Sequence, residues 1–294
     1  MRRLPLLAIA CIVCTWTVAC SRTSDDTTPS WATPTMTLNR MDASVGAPID
    51  ITYRFAVAQN AQPPSGEYLV FVHFQGQDGE LLWTDDHQPE RPLAQWKPGD
   101  TIEYMRTTFV PKVSYVGPIV VNVGIYSPKT GDRLPLSGQA VAMREYRVAG
   151  FNIRPTGNDV FLVYKSGWHE AEVADAASGI EWQWSKKEGL LSFRNPKRDV
   201  ELFLDVDQPA TAISPAQHVE LHIGPTVVDT FDLPPGQRML RRLRLNPAQL
   251  GSGETVELRV AVDRTLVPAS IPAMKSGDSR ELGIRVFHAY VEPK

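Results

Sequence analysis

Glu67-Tyr68-Leu69-Val70-Phe71-Val72-His73-Phe74-Gln75 is the stretch that decides the fold. Tyr68, Val70, Val72 and Phe74 alternate with Leu69, Phe71 and His73, which is the period of a strand and not of a helix. Both registers carry large apolar groups, so the segment reads as a central strand covered on two faces. Asp78-Gly79 then supplies a turn, since a glycine there accepts positive φ. Working outward, the same signal predicts strands over 35–41, 48–57, 80–84, 100–109, 117–126 and 140–148. A second series is expected over 159–164, 180–184, 190–194, 199–206, 217–223, 226–232, 239–245, 255–262 and 282–291. Twenty-four prolines and twenty glycines among 294 residues punctuate these runs. That pattern suits antiparallel sheets and leaves room for one short helix, at His169 to Ala177. The expectation is an all-β chain of two β-sandwich domains: immunoglobulin-like over 35–148, a linker at 149–157, then jelly-roll-like over 158–294.

The amino terminus carries a different message. Arg2 and Arg3 precede an apolar run from Leu4 to Val18, the form of a secretory signal peptide over 1–19. A run of about 15 residues is too short to span a bilayer, which needs roughly 20. Cys20, directly after Ala19, resembles the lipobox cysteine of bacterial lipoproteins, although Thr17 stands where leucine is usual. The resemblance implies cleavage before Cys20, lipidation of its sulfur and a membrane partner reached through the acyl chains. Residues 20–34, rich in Ser, Thr and Asp, read as a lipidated flexible tether. The expected place is the cell envelope, and with Ser21 after the cysteine, the outer membrane of a host with two. Losing the leader removes Arg2 and Arg3 from 30 basic residues, leaving 28 against 33 acidic, a net of −5. That balance excludes a nucleic-acid partner, which requires a basic patch, and electrostatic docking on anionic lipid. Cys11 and Cys14 leave with the leader, so Cys20 is the last cysteine and no intramolecular disulfide forms.

Several residues invite chemistry. Trp168, Trp182 and Trp184 are candidates for stacking on sugar rings, against the alternative of core packing. His218, Glu220 and His222 project from one side of a strand and are weak candidates for zinc, against a solvated outer face. Asp85, Asp86, His87 and Glu90 form an acidic loop that calcium would suit, against a simple turn. Asp205 and Asp207 share a strand face, as paired carboxylates of a glycoside hydrolase would, against two solvated acids. No nucleophile elbow, His-Glu-x-x-His helix or glycine-rich phosphate loop is present in the sequence. Binding is therefore expected rather than catalysis, with no cofactor.

Two family resemblances add to this. Val70-Phe71-Val72-His73-Phe74, Asp78-Gly79, Asp85-Asp86-His87, Trp96-Lys97-Pro98-Gly99-Asp100 and Val123-Gly124-Ile125-Tyr126 with Arg133-Leu134-Pro135-Leu136 form an ordered series. Through it, residues 45–148 resemble extracytoplasmic β-sandwich modules of bacterial mannosyltransferase-type glycosyltransferases. The multi-span domain of those enzymes has no counterpart in this sequence, so transferase activity is not implied. Gly167 to Glu172, Trp182-Gln183-Trp184 and Asp278 to Val286 make residues 158–292 similar to galactose-binding-like sandwich modules. Both resemblances imply a carbohydrate-rich envelope setting. The expected function is that of a non-catalytic lipoprotein binding glycan or polysaccharide; the alternatives are an interaction or scaffold subunit of an envelope protein assembly and a polysaccharide-modifying enzyme. Exposed tryptophans favour the first, an unpaired edge strand the second, and converging free carboxylates the third.

Overall fold

The computed structural model describes residues 28–62, 64–157, 159–174, 180–208 and 216–294; Cys20 and the signal peptide lie outside the described residues. The chain forms two β-sandwiches. The first contains β1 (Ala32–Leu38), β2 (Asp42–Ala43), β3 (Pro48–Val57), β4 (Leu69–Gln75), β5 (Leu81–Thr84), β6 (Thr101–Phe109), β7 (Gly117–Tyr126), β8 (Gln139–Ala142) and β9 (Glu145–Ile153). One sheet has the order β1-β3-β6, the other β2-β9-β7-β4-β5 with β8 beside β9. Ile49, Ile51, Tyr53 and Phe55 of β3 meet Val70, Val72 and Phe74 of β4 in the core between them. β4 is interior, between β7 and β5, and both its faces are covered. Phe71, on the outer face, is buried beneath the Arg133 guanidinium, 4.4 Å from the ring centre.

The second sandwich contains β10 (Leu162–Tyr164), β11 (Glu172–Val173), β12 (Glu181–Trp184), β13 (Glu188–Arg194), β14 (Val200–Asp207), β15 (Gln217–Ile223), β16 (Thr226–Leu233), β17 (Met239–Leu245), β18 (Thr255–Val262) and β19 (Arg285–Pro293). Its sheets run β10-β13-β18-β15-β16 and β11-β12-β19-β14-β17. Leu191, Leu202, Leu204, Leu221, Leu258 and Ile284 fill the space between them. Among the described residues, no helix is long and apolar enough to cross a membrane.

Three expectations need correction. Order begins inside the segment read as tether: Ala32–Leu38 is a full strand, and Trp31 is buried against Trp96, with ring centres 5.7 Å apart. The indole N–H of Trp31 donates to the Gln62 carbonyl at 2.8 Å. One aromatic in a polar stretch is enough to anchor it when a matching ring waits in the core. The segment 149–157 does not start as a linker either. Ala149 to Ile153 complete β9, because Phe151 and Ile153 alternate into the core. The helix expected at His169 to Ala177 is absent over its described part, where Glu172–Val173 pairs with β12; residues 175–177 lie outside the described set.

The sandwiches touch through the outer faces of β3 and β6 on one side and of β14, β17 and β19 on the other. Arg242 of β17 forms a two-pronged salt bridge with Asp50 of β3 and donates to the Thr107 hydroxyl at 2.6 Å. Phe109 and His288 stack with ring centres 4.2 Å apart and planes 3° from parallel. Arg40 meets Glu292 at 2.6 Å. The crossing between the sandwiches is itself pinned, since Asp159 accepts from Arg154 at 2.7 Å and from the Ser44 hydroxyl at 3.0 Å.

Candidate functional site

The tryptophans singled out in the sequence are spent on packing. Trp184 is buried, and half-buried Trp182 packs with it against Leu266 and Leu282 in a small apolar cluster beside the main core. The guanidinium of Arg285 lies 5.2 Å from the Trp182 ring centre and 5.6 Å from that of Trp184. Trp168 is half-buried over Gly189, its indole N–H held by the Leu190 carbonyl at 2.9 Å. Trp184 is thus closed to a ligand, while Trp168 and Trp182 keep part of their surface exposed.

The acidic and histidine motifs are also internally satisfied. Glu220 lies between its neighbours, 2.8 Å from His222 Nε2 and 4.0 Å from His218 Nε2, while His218 Nδ1 meets Asp232 at 2.7 Å. Among the described residues, no group of three His, Cys, Asp or Glu side chains is arranged to hold a metal ion. Asp207 is paired through both oxygens with Arg285. Asp205 is paired likewise with Arg238 and also meets His288 Nδ1 at 2.9 Å. Burial works to raise the pKa of Asp205, but the hydrogen bonds from Arg238 and His288 outweigh it and hold the group below the ordinary aspartate value. A carboxylate held ionised in this way is a poor general acid.

Asp205 nonetheless leads to a concavity. A cleft of about 740 Å³ lies between the sandwiches, within the usual range of ligand sites. One side is Tyr104 to Phe109, in unbroken sequence along β6. Facing them are Trp83, Thr84 and Asp85, at the end of β5. Asp205, Arg238, Leu240 and His288 close it from the second sandwich. Arg106 reaches across from β6 to Asp85, donating from Nη2 at 3.1 Å and from Nε at 3.3 Å. Tyr53 also bonds Asp85, and His87 bonds the Tyr104 hydroxyl at 2.9 Å. So the acidic loop seen in the sequence does not gather calcium ligands. Its first aspartate and its histidine tie the two sheets of the first sandwich together beneath the cleft.

Chemically the cleft is balanced. Asp85 with Arg106 and Asp205 with Arg238 cancel, which leaves Glu90 as the unmatched charge among the lining residues. The indole N–H of Trp83 is buried and finds no acceptor among the described residues. No carboxylate in the cleft is both free of a cation and poised opposite another, the arrangement glycoside hydrolysis needs. The arrangement can hold a ligand by hydrogen bonds and shape. Sequence reading missed this site because its two halves, Trp83 to Pro111 and Asp205 to His288, are far apart along the chain. The available signals were the Asp85-Asp86-His87 motif with Glu90 on one side and Asp205 on the other.

No family model and no curated protein matches this chain. Among solved structures, it is similar to an alkylpurine DNA glycosylase of Pseudomonas fluorescens at 14% identity, over 42% of this chain and 31% of that one, with a TM-score of 0.25. It thus spans about a third of that protein's length. The N-terminal tandem CBM22 domain of Paenibacillus barcinonensis Xyn10C matches at 8% identity over 91% of this chain and 94% of that one, with a TM-score of 0.27. Beta-glucuronidase 2 of Bacteroides uniformis matches at 11% identity over 89% and 30%, with a TM-score of 0.29. Superpositions this loose carry no argument about activity or ligand.

Proposed function

We propose that this chain is a non-catalytic binding protein of the cell envelope, lipid-anchored through Cys20, which holds its ligand in the cleft between the two sandwiches. The observation that carries the reading is the pairing of Asp85 with Arg106 and of Asp205 with Arg238, which leaves Glu90 as a lone carboxylate with no second one free opposite it. Each guanidinium is matched by a carboxylate, so the site offers recognition without a group poised for proton transfer or nucleophilic attack. Between the two binding readings, the geometry favours the interaction subunit. Trp184 is buried and Trp168 and Trp182 are half-buried, whereas the longest wall of the cleft is a strand with one open edge. A glycan ligand remains the second reading, supported by the aromatic rings of Trp83, Tyr104 and Phe109 along the cleft.

Met105→Trp tests the cleft. Met105 is 55% exposed at the lining, so a larger ring there fills the cleft without entering the core. Peptide and glycan arrays read with the purified protein and with this variant should lose the same ligand class together, at an unchanged melting temperature. A ligand that binds both forms equally would place recognition elsewhere. Replacing Cys20 with Ser should separately release the protein from the membrane fraction, and full retention would refute the anchor.

A further inference from the structure

Six consecutive residues of one strand, Tyr104 to Phe109, line the cleft. Side chains along a strand alternate between two faces. A surface that touches every residue in turn is therefore touching the strand along its edge. β6 is such an edge, since among the described residues it pairs with β3 alone. The direction of its free groups follows from the register. Just before β6, the Val57 amide donates to the Asp100 carbonyl at 2.8 Å. Antiparallel pairs alternate between bonded and non-bonded partners, so Ile102, Tyr104, Arg106 and Thr108 bond β3. The amide and carbonyl groups of Glu103, Met105 and Thr107 then point to the open side. Pro48 opposite Phe109 agrees with this parity, because a proline has no N–H to give.

We propose that the cleft takes an extended, uncharged peptide segment of a partner protein, which adds to β6 as a further strand. This deepens the protein-interaction reading above and rests on it. Unpaired edges are commonly blunted by proline, lysine or a bulge, and β6 has none of these. Arg106 is turned to Asp85, and Glu103, which stays exposed, lies 3.9 Å from Arg54. Six residues of strand run ~17 Å, and a cleft of about 740 Å³ along that length has room for one chain and not for a second sheet. Among the lining residues only Glu90 is unmatched, which selects against an acidic segment and leaves a neutral one unopposed. Main-chain bonds to the edge would supply affinity, and side-chain pockets would supply selection at alternate residues.

The probe is a displayed library of random heptapeptides, selected on the full protein, with the best binder then resynthesised. Met105→Pro removes an N–H from the free edge and none from the β3 ladder, whereas Met105→Ala keeps it. The peptide should bind the alanine variant as it binds the parent and bind the proline variant at least about tenfold more weakly, the loss expected when edge hydrogen bonds go. N-methylation along the peptide should weaken binding at every second residue, because only alternate amides face β6. This second measurement stands even if Met105→Pro fails to fold. Strand addition is overturned if no peptide is selected over the Met105→Trp control, or if N-methylation acts without alternation. It is equally overturned if a folded proline variant binds normally. Sensitivity to Met105→Trp without sensitivity to proline or N-methylation would keep the cleft as the site and reject this mode of binding. Selective capture of neutral oligosaccharides would give the cleft to glycan.

Discussion

His87 is 6% exposed, with Nδ1 donating to the Asp85 carbonyl at 2.8 Å and Nε2 accepting from the Tyr104 hydroxyl at 2.9 Å. Burial, reinforced by the nearby positive charge of Arg106, pushes its pKa down to about 4. Above pH 6.5 the imidazole is neutral in folded and unfolded chains alike. Below it, the unfolded chain takes up a proton that the folded chain refuses until about pH 4. Stability should therefore decline across that window, by up to about 1.4 kcal/mol per pH unit. The carboxylates held below their ordinary values, Asp50 and Asp205 among them, lose their contribution only at lower pH. His218, raised chiefly by its bond to Asp232, contributes stability below pH 6.5 that is lost as pH rises above it. Urea midpoints of His87→Gln should be flatter between pH 6.5 and 4.5 than those of the parent; an equal decline in both would remove His87 as the cause. The motif around His87 was visible in the sequence, but its chemistry was not. Tyr53, Tyr104 and Arg106 come from other strands, and nothing local announces them.

At the scale of elements, alternation made most strands legible. β3, β7, β15, β17 and β18 fall on the expected residues because apolar positions alternate cleanly between turn signals. The errors lie where a short segment borrows its burial from elsewhere, as Trp31 does from Trp96 and Phe151 from Phe74 and Trp83 of distant strands in its own sheet. β19 shows both sides of this. Leu282, Ile284 and Val286 marked the tail as an interior strand, and β19 indeed lies between β12 and β14. Less visible was its outer face, where His288, Tyr290 and Glu292 meet Phe109, Ser44 and Arg40 of the first sandwich. Val286→Ala should destabilise the protein by about 1–3 kcal/mol, measured by denaturant unfolding. Deleting 280–294 should unfold the second sandwich and also remove one wall of the cleft. A truncated protein that kept both its full melting enthalpy and its ligand would contradict this placement.

Over the whole molecule, the two sandwiches have separate cores but a shared charged seam. Burial works against the ionised form of Asp50, and the Arg242 and Thr107 hydrogen bonds more than offset it, keeping its pKa low. A cycle of Asp50→Asn and Arg242→Met should give a coupling of about 0.5–3 kcal/mol, and calorimetry should show one transition in the parent parting into two when Arg242 is replaced. Coincident transitions in every variant would mean that the seam does little. The cleft could not be read from sequence for the same reason that the seam could not, because each is assembled from strands belonging to different cores. The pinned crossing has a kinetic corollary. With Arg154 and Ser44 bonded to Asp159 across the crossing, the expectation is that the two sandwiches complete no swing before a visitor docks. Arrival should then be a single encounter, its observed rate climbing in proportion to concentration without levelling off, and differences among visitors should lie in how long each one stays.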